Sequence, residues 1–272
     1  MPVADRVLVS ARGRWLDELT ALDGAVRAPL ALSTRVGFTA VTGGVGCSTV
    51  GGLVASTCAA RRSQRVLAVN ATSSEGSLLW HAGCVGTATS TPEHDEQRLA
   101  ARTGAEAVAG LARTGSGAYC LDLADPDGTP PPARWWQGVG AAGRFFDLVV
   151  TDWGVATPTT VDAIVAASTV VAVVTDTDRG GVQAAVDLAA WIRAHDVQVV
   201  VAVVDVTGRR PAGFDRLVQA LPFPGVLVGH DRALRTSQPA PARRLRAGTS
   251  LAVLRLAAAL IGAGGPGGEQ TR

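Results

Sequence analysis

The chain has 272 residues, 47% of them apolar and 18% charged, with 32 glycines and a formal net charge of +2. That is enough for one sizeable α/β domain or two small ones, and excludes a disordered chain, which needs low hydrophobicity and high net charge. The near balance of charge also argues against a dedicated nucleic-acid binder, and all 25 basic residues are Arg, with no Lys anywhere.

Residues 1–34 read as a leader. Trp15, Leu19, Leu22 and Val26 recur at helical spacing and predict an amphipathic helix over 14–26. The first residues show no apolar core of signal-peptide type. From residue 35 onward, short β-branched runs alternate with Ala-rich helical stretches. Strands are predicted at 36–41, 65–70, 118–123, 146–151, 169–175, 197–205 and 225–228. Helices are predicted at 47–62, 97–113, 132–142, 158–167, 180–195, 211–220 and 249–261. Near-continuous apolar strands separated by helices specify a doubly wound, mostly parallel α/β sheet of about seven strands, covered on both faces. Ligands of such sheets bind at the carboxyl ends of the strands. One domain over 35–261 is the simplest account, with the Gly-rich tail 262–272 expected to be disordered.

Cys47, Cys58, Cys84 and Cys120 have no paired spacing, so a reducing cytoplasm is expected and not a disulfide framework. His81 and Cys84 have ligand-like spacing, but no second pair accompanies them, so no protein-held metal cluster is expected.

The informative stretch is Val41-Thr42-Gly43-Gly44-Val45-Gly46-Cys47-Ser48-Thr49, which follows a predicted strand and opens a predicted helix. Glycines there let backbone N–H groups converge on an anion at the positive end of a helix. The stretch resembles the deviant Walker A motif, K-G-G-x-G-K-[ST]-T, of the ParA/MinD group of P-loop ATPases. Gly43, Gly44, Gly46, Ser48 and Thr49 match it. Phe146-Asp147-Leu148-Val149-Val150-Thr151-Asp152 resembles the Walker B strand, with Asp152 at its end. Segments 175–178, 199–205 and 225–235 resemble later strands and turns of the same group. The resemblance covers about residues 35–261. It implies ATP or ADP with Mg²⁺ held by Gly43, Gly44, Val45, Gly46, Cys47, Ser48, Thr49 and Asp152. Ser48 and Asp152 would be the metal partners. Within the group, the helical leader looks like MinD-like proteins of actinobacterial type VII secretion or the TadZ/CpaE type of pilus assembly.

The departures matter as much as the matches. Thr42 stands where the family has the lysine that reaches the partner subunit's nucleotide. Cys47 stands where it has the lysine on the β- and γ-phosphates. Asn70 replaces an acidic residue at the end of the second strand, and Asp205 replaces the Asn that reads adenine. The catalytic Asp of the first switch has no counterpart, with Thr72 nearest. A hydrogen bond to a charged group is worth ~1.5–3 kcal/mol. Loss of the loop lysine therefore costs roughly one to two orders of magnitude in nucleotide affinity. Loss of a transition-state donor costs ~10²–10³ in rate. The expectation is a pseudo-ATPase serving as a positioning or scaffold component in secretion, pilus assembly or partitioning. It would be a homodimer with protein partners, in the cytoplasm or peripheral to the membrane. One alternative is a slow ATPase with a compensating Arg, Arg179 being a candidate. Another is a DNA- or acidic-lipid-binding module using the Arg-rich segment 232–246 and the apolar helix after it. A further reading makes Cys47 a reactive thiol, its pKa lowered by the helix terminus.

Overall fold

The structure is a computed structural model, and it describes residues 3–30, 32–72, 77–85, 88, 91–124, 131–235 and 244–265. The elements in chain order are α1 (Val3–Arg27), β1 (Thr34–Ala40), α2 (Cys47–Arg61), β2 (Val66–Asn70), α3 (Leu78–Ala82), α4 (Pro92–Ala100), α5 (Gly104–Ala107), β3 (Ala112–Arg113), β4 (Tyr119–Asp122), α6 (Pro131–Trp135), β5 (Leu148–Val155), α7 (Val161–Ala167), β6 (Val170–Asp176), α8 (Arg179–Arg193), β7 (Gln198–Val204), α9 (Phe214–Gln219), β8 (Gly225–Val228) and α10 (Ala247–Gly264).

The strands form one eight-stranded sheet in the order β3-β4-β2-β5-β1-β6-β7-β8. All neighbours are parallel except β3 and β4. The alternation of side chains divides the core into two layers. Val36, Phe38, Ala68, Val150 and Val200 face α1, α2, α3 and α10. Leu67, Val69, Val149, Val171 and Val201 face the opposite layer with Trp135, Ile164, Ile192 and Phe214. The chain winds one way from β1 to β2 and the other way from β5 to β6 across β1. The carboxyl end of β1 is thus the topological switch point, where such sheets bind ligands.

All seven predicted strands are present. The eighth is the two-residue β3, which arises because the stretch read as one helix over 97–113 is broken. Helix α4 ends at Ala100, Thr103 caps the short α5 by accepting from Glu106 N, and Gly110 turns the chain at φ 73°. The stretch read as a helix over 132–142 is a composite of α6, a π turn over Trp136–Gly140 and a 3₁₀ turn over Ala142–Phe145. Glycines at 138, 140 and 143 weaken the preference for a regular α-helix there. Helix α3 was not anticipated from the sequence.

The leader helix is longer than the 14–26 stretch predicted and lies against α10 and α2. Glu18 pairs with Arg255 (2.6 Å) and Asp23 with Arg61 (3.1 Å), while Val26 is fully buried. By length and composition α10 could cross a membrane. In this fold its Leu254, Leu256, Leu260 and Ile261 are buried in the core against the sheet. Residues 236–243 of the Arg-rich segment lie outside the described residues.

Candidate functional site

The loop 41–46 leaves β1 at the switch point and enters α2. Gly44 (φ 79°) and Gly46 (φ 90°) take left-handed conformations that curl the backbone, and a Cβ on Gly43 or Gly44 would meet nothing within 4 Å. Gly46 caps α2 without a side-chain hydrogen bond, so the first N–H groups of the helix are left for solvent or a ligand. Val45 points into the core at 4% exposure and anchors the loop.

Above the loop lies a cavity of about 670 Å³. Its wall includes Thr42, Gly43, Gly44, Gly46, Cys47, Ser48 and Thr49, joined by Thr72, His81, Trp153, Thr157 and Thr160. The wall is rich in hydroxyls and, among the described residues, carries no Arg. Arg179 begins α8, is exposed, and takes no part in it. His81 meets the Thr49 hydroxyl through Nε2 at 3.1 Å, and burial lowers its pKa, which keeps the imidazole neutral. Trp153 is packed in the second core layer beside Trp135 and lines the cavity without filling it.

Asp152 lies behind this wall, fully buried. Its Oδ1 accepts from Gly154 N at 2.9 Å and from the Cys47 thiol at 3.7 Å. Its Oδ2 has no hydrogen-bond partner. Burial pushes the carboxyl above the usual carboxylate range, with the Ser48 hydroxyl, the Gly154 N–H and the Cys47 thiol opposing it. Cys47 is buried and responds in the same direction. Burial and the neighbouring Asp152 raise its thiol well above the ordinary value. The reading of Cys47 as an acidified, reactive thiol is therefore corrected, because desolvation and a buried carboxylate outweigh the helix terminus.

The other substituted positions have structural partners. Asn70 donates through Nδ2 to Asp122 Oδ1 (2.8 Å) and Thr72 O (3.2 Å), tying β2 to β4. Asp205 accepts from Gly208 N at 2.7 Å and closes the turn after β7. His81, Thr157 and Thr160 were missed as cavity residues. No spacing in the sequence joins α3 and the loop after β5 to the glycine loop. Among the described residues no group of His, Cys, Asp and Glu is arranged to hold a metal by itself.

No protein-family model and no curated protein sequence matches the chain. Solved structures do. The septum site-determining protein MinD of Pyrococcus horikoshii, complexed with Mg-ADP, superimposes with a TM-score of 0.64 at 14% identity, over 83% of this chain and 95% of that one. The chain has the ParA/MinD fold. A plasmid partition protein of Borrelia burgdorferi bound to AMPPNP gives 0.57 at 13% identity, over 83% and 98%. The MinD of the Aquifex aeolicus MinC:MinD cell division complex gives 0.59 at 15%, over 85% and 96%. The ParA/MinD fold thus spans most of the chain.

Tested against Mg-nucleotide, the site fits in one part and not in the other. The curled glycine backbone and the uncapped helix terminus fit a phosphate group. The free Oδ2 of Asp152 and the Ser48 hydroxyl are suitable oxygen donors toward Mg²⁺. Among the described residues no lysine or arginine lines the cavity to meet a phosphate, and the Cys47 thiol is turned toward Asp152.

Proposed function

We propose that this chain is a degenerate ParA/MinD-fold protein, a pseudo-ATPase that works as a positioning or scaffold component and not through turnover. The observation that carries the reading is the pair Cys47–Asp152. The lysine position of the phosphate loop holds a buried neutral thiol bonded to the Walker B carboxylate, beneath a cavity wall with no Lys or Arg among the described residues. The glycine loop would hold the phosphates of ADP or ATP through its backbone. Ser48, with Asp152 behind it, would hold Mg²⁺, which supplies charge neutralisation when bound. No residue on the wall is placed to stabilise charge developing on a transferred phosphoryl group, and the neutral His81 does not substitute for a lysine. The scaffold reading extends to a homodimer through the cavity face and to protein partners of a secretion, pilus-assembly or partitioning system in the cytoplasm. It rests on likeness to MinD and ParA proteins.

The test is calorimetric titration of ATP and ADP with Mg²⁺, with phosphate release followed on the same sample. The expected result is binding no tighter than about 100 μM and no release above background. Turnover that disappears in Asp152→Asn would overturn the pseudo-enzyme reading. Absence of heat up to about 10 mM nucleotide would remove the nucleotide and leave the scaffold.

A further inference from the structure

A second cavity lies away from the glycine loop. It has a volume of about 910 Å³ and lies at the opposite end of the sheet, beneath the amino ends of β1, β2, β4 and β5. Seven-residue β1 separates the two sites, a distance of about 20 Å. Among the described residues, four arginines line this cavity, Arg62, Arg65, Arg113 and Arg144, with one acidic residue, Asp147.

Arg62 is already committed. Its side chain is fully buried, donating through Nη1 to Val26 O (2.7 Å) and Ala28 O (2.9 Å) and through Nη2 to Asp147 Oδ2 (2.5 Å). It thereby answers the carbonyls at the end of α1 and neutralises the Asp147 carboxylate. The other three have no carboxylate partner among the described residues. Arg113 donates to Gly117 O (3.3 Å) and lies over the Tyr119 ring at 5.2 Å. Arg144 donates to Ala101 O (2.9 Å) and lies over the Phe145 ring at 4.7 Å. Arg65 packs its guanidinium against Gly104. Aromatic faces and carbonyls thus hold two of these side chains in place, which lowers the entropy lost on gripping a ligand. Ser33, Ser63 and Gln64 add neutral donors around them.

We propose that this cavity is a second ligand site, for a small polyanion carrying two or more phosphate groups. Three arginines without a carboxylate partner among the described residues match the charge of such a ligand, and planar forks grip phosphate oxygens in pairs. The volume suits a molecule up to nucleotide size. It is a concave pocket and not an extended track, which distinguishes it from a surface for a nucleic-acid backbone. The site is independent of the glycine loop and stands whether or not that loop binds nucleotide.

The experiment is calorimetric titration of the whole chain with pyrophosphate and with ADP, in EDTA to remove Mg²⁺, at two salt concentrations. Wild type is compared with Arg65→Gln, Arg113→Gln and Arg144→Gln, singly and together, and with Gly43→Glu, which puts a carboxylate in the glycine loop. Melting curves confirm that each variant folds. The expected result is saturable, salt-sensitive binding that falls about tenfold for each guanidinium removed and persists in Gly43→Glu. Tighter binding of ADP than of pyrophosphate identifies a nucleotide as the occupant, and equal binding identifies the bare polyphosphate. Binding lost in Gly43→Glu but kept in the triple variant overturns the proposal. So does binding of a single-stranded oligonucleotide without pyrophosphate, or no binding of either small anion up to about 10 mM.

Discussion

Replacing Cys47 by Lys should give the phosphate loop back the charge it lacks. The thiol is 3.7 Å from Asp152 Oδ1, and Oδ2 has no partner, so an ammonium at this position meets a ready carboxylate on one side and the cavity on the other. At about 4 Å and an effective dielectric near 20 the attraction to Asp152 is ~4 kcal/mol, enough to keep the lysine charged despite burial. A charge-assisted bond to phosphate adds ~1.5–3 kcal/mol, or roughly 10–150-fold in affinity. Competition from Asp152 places the expected gain for Mg-ADP near the lower end, about tenfold. Cys47→Met is the control, with comparable reach and no charge, and should gain nothing. The same substitution reverses a pH dependence. In the wild type the folded-state pKa of Asp152 lies above its unfolded value. The folded chain therefore binds more protons between those two values, and stability falls as pH rises through that interval. With a lysine alongside, the folded pKa drops below the unfolded one, and stability should instead rise with pH through the carboxylate range. Calorimetry and melting curves across acidic pH read both effects. A folded Cys47→Lys protein with the nucleotide affinity of Cys47→Met, and a wild-type slope of stability on pH, would refute the argument.

Three further outcomes follow from the packing. Gly52→Ala should cost about 2 kcal/mol or more, read as a fall in Tm, because its Cβ would lie 2.5 Å from Leu78 O and 2.8 Å from Ala82 N, where only backbone can yield; Gly43→Ala, with nothing within 4 Å, should be near neutral. Arg62→Met should cost about 3 kcal/mol in denaturant unfolding, since it removes the donor to Val26 O, Ala28 O and the Asp147 carboxylate, and a loss under 1 kcal/mol would show that water replaces it. All four cysteines are buried, and burial pushes Cys58 up to about 12 and Cys47 well above its ordinary value, so a thiol reagent should label the native chain only at the rate of its opening and label it fully in denaturant.

The parallel sheet was legible because its strands are buried on both faces and read as unbroken runs of Val and Ala, such as Val170–Asp176 and Gln198–Val204. The 97–113 stretch was not. Its Ala-rich composition favours helix, while the local hydrogen bonds of Thr103 and the turn at Gly110 break it, and a two-residue strand has too little pattern to register. The glycine loop was legible down to its missing lysine. The sequence placed Cys47 and Asp152 in one site but said nothing of their direction. Only the fold puts the carboxylate behind the thiol, fully buried, where desolvation raises both groups.

That arrangement also explains how the site is stable without a lysine at position 47. An ionised Asp152 left alone in this place would cost several kcal/mol, since nothing cationic lies beside it. The raised pKa of Asp152, the Gly154 N–H and the Cys47 thiol reduce that cost, and Asn70 in place of an acid at the neighbouring strand end avoids a second buried negative charge opposite it in register. Positions 47 and 70 thus both adjoin one buried carboxylate, Cys47 by its thiol and Asn70 by strand register. They describe a site relaxed around the absence of a cation, and restoring that cation at position 47 alone tests whether the rest of the cradle has kept its shape.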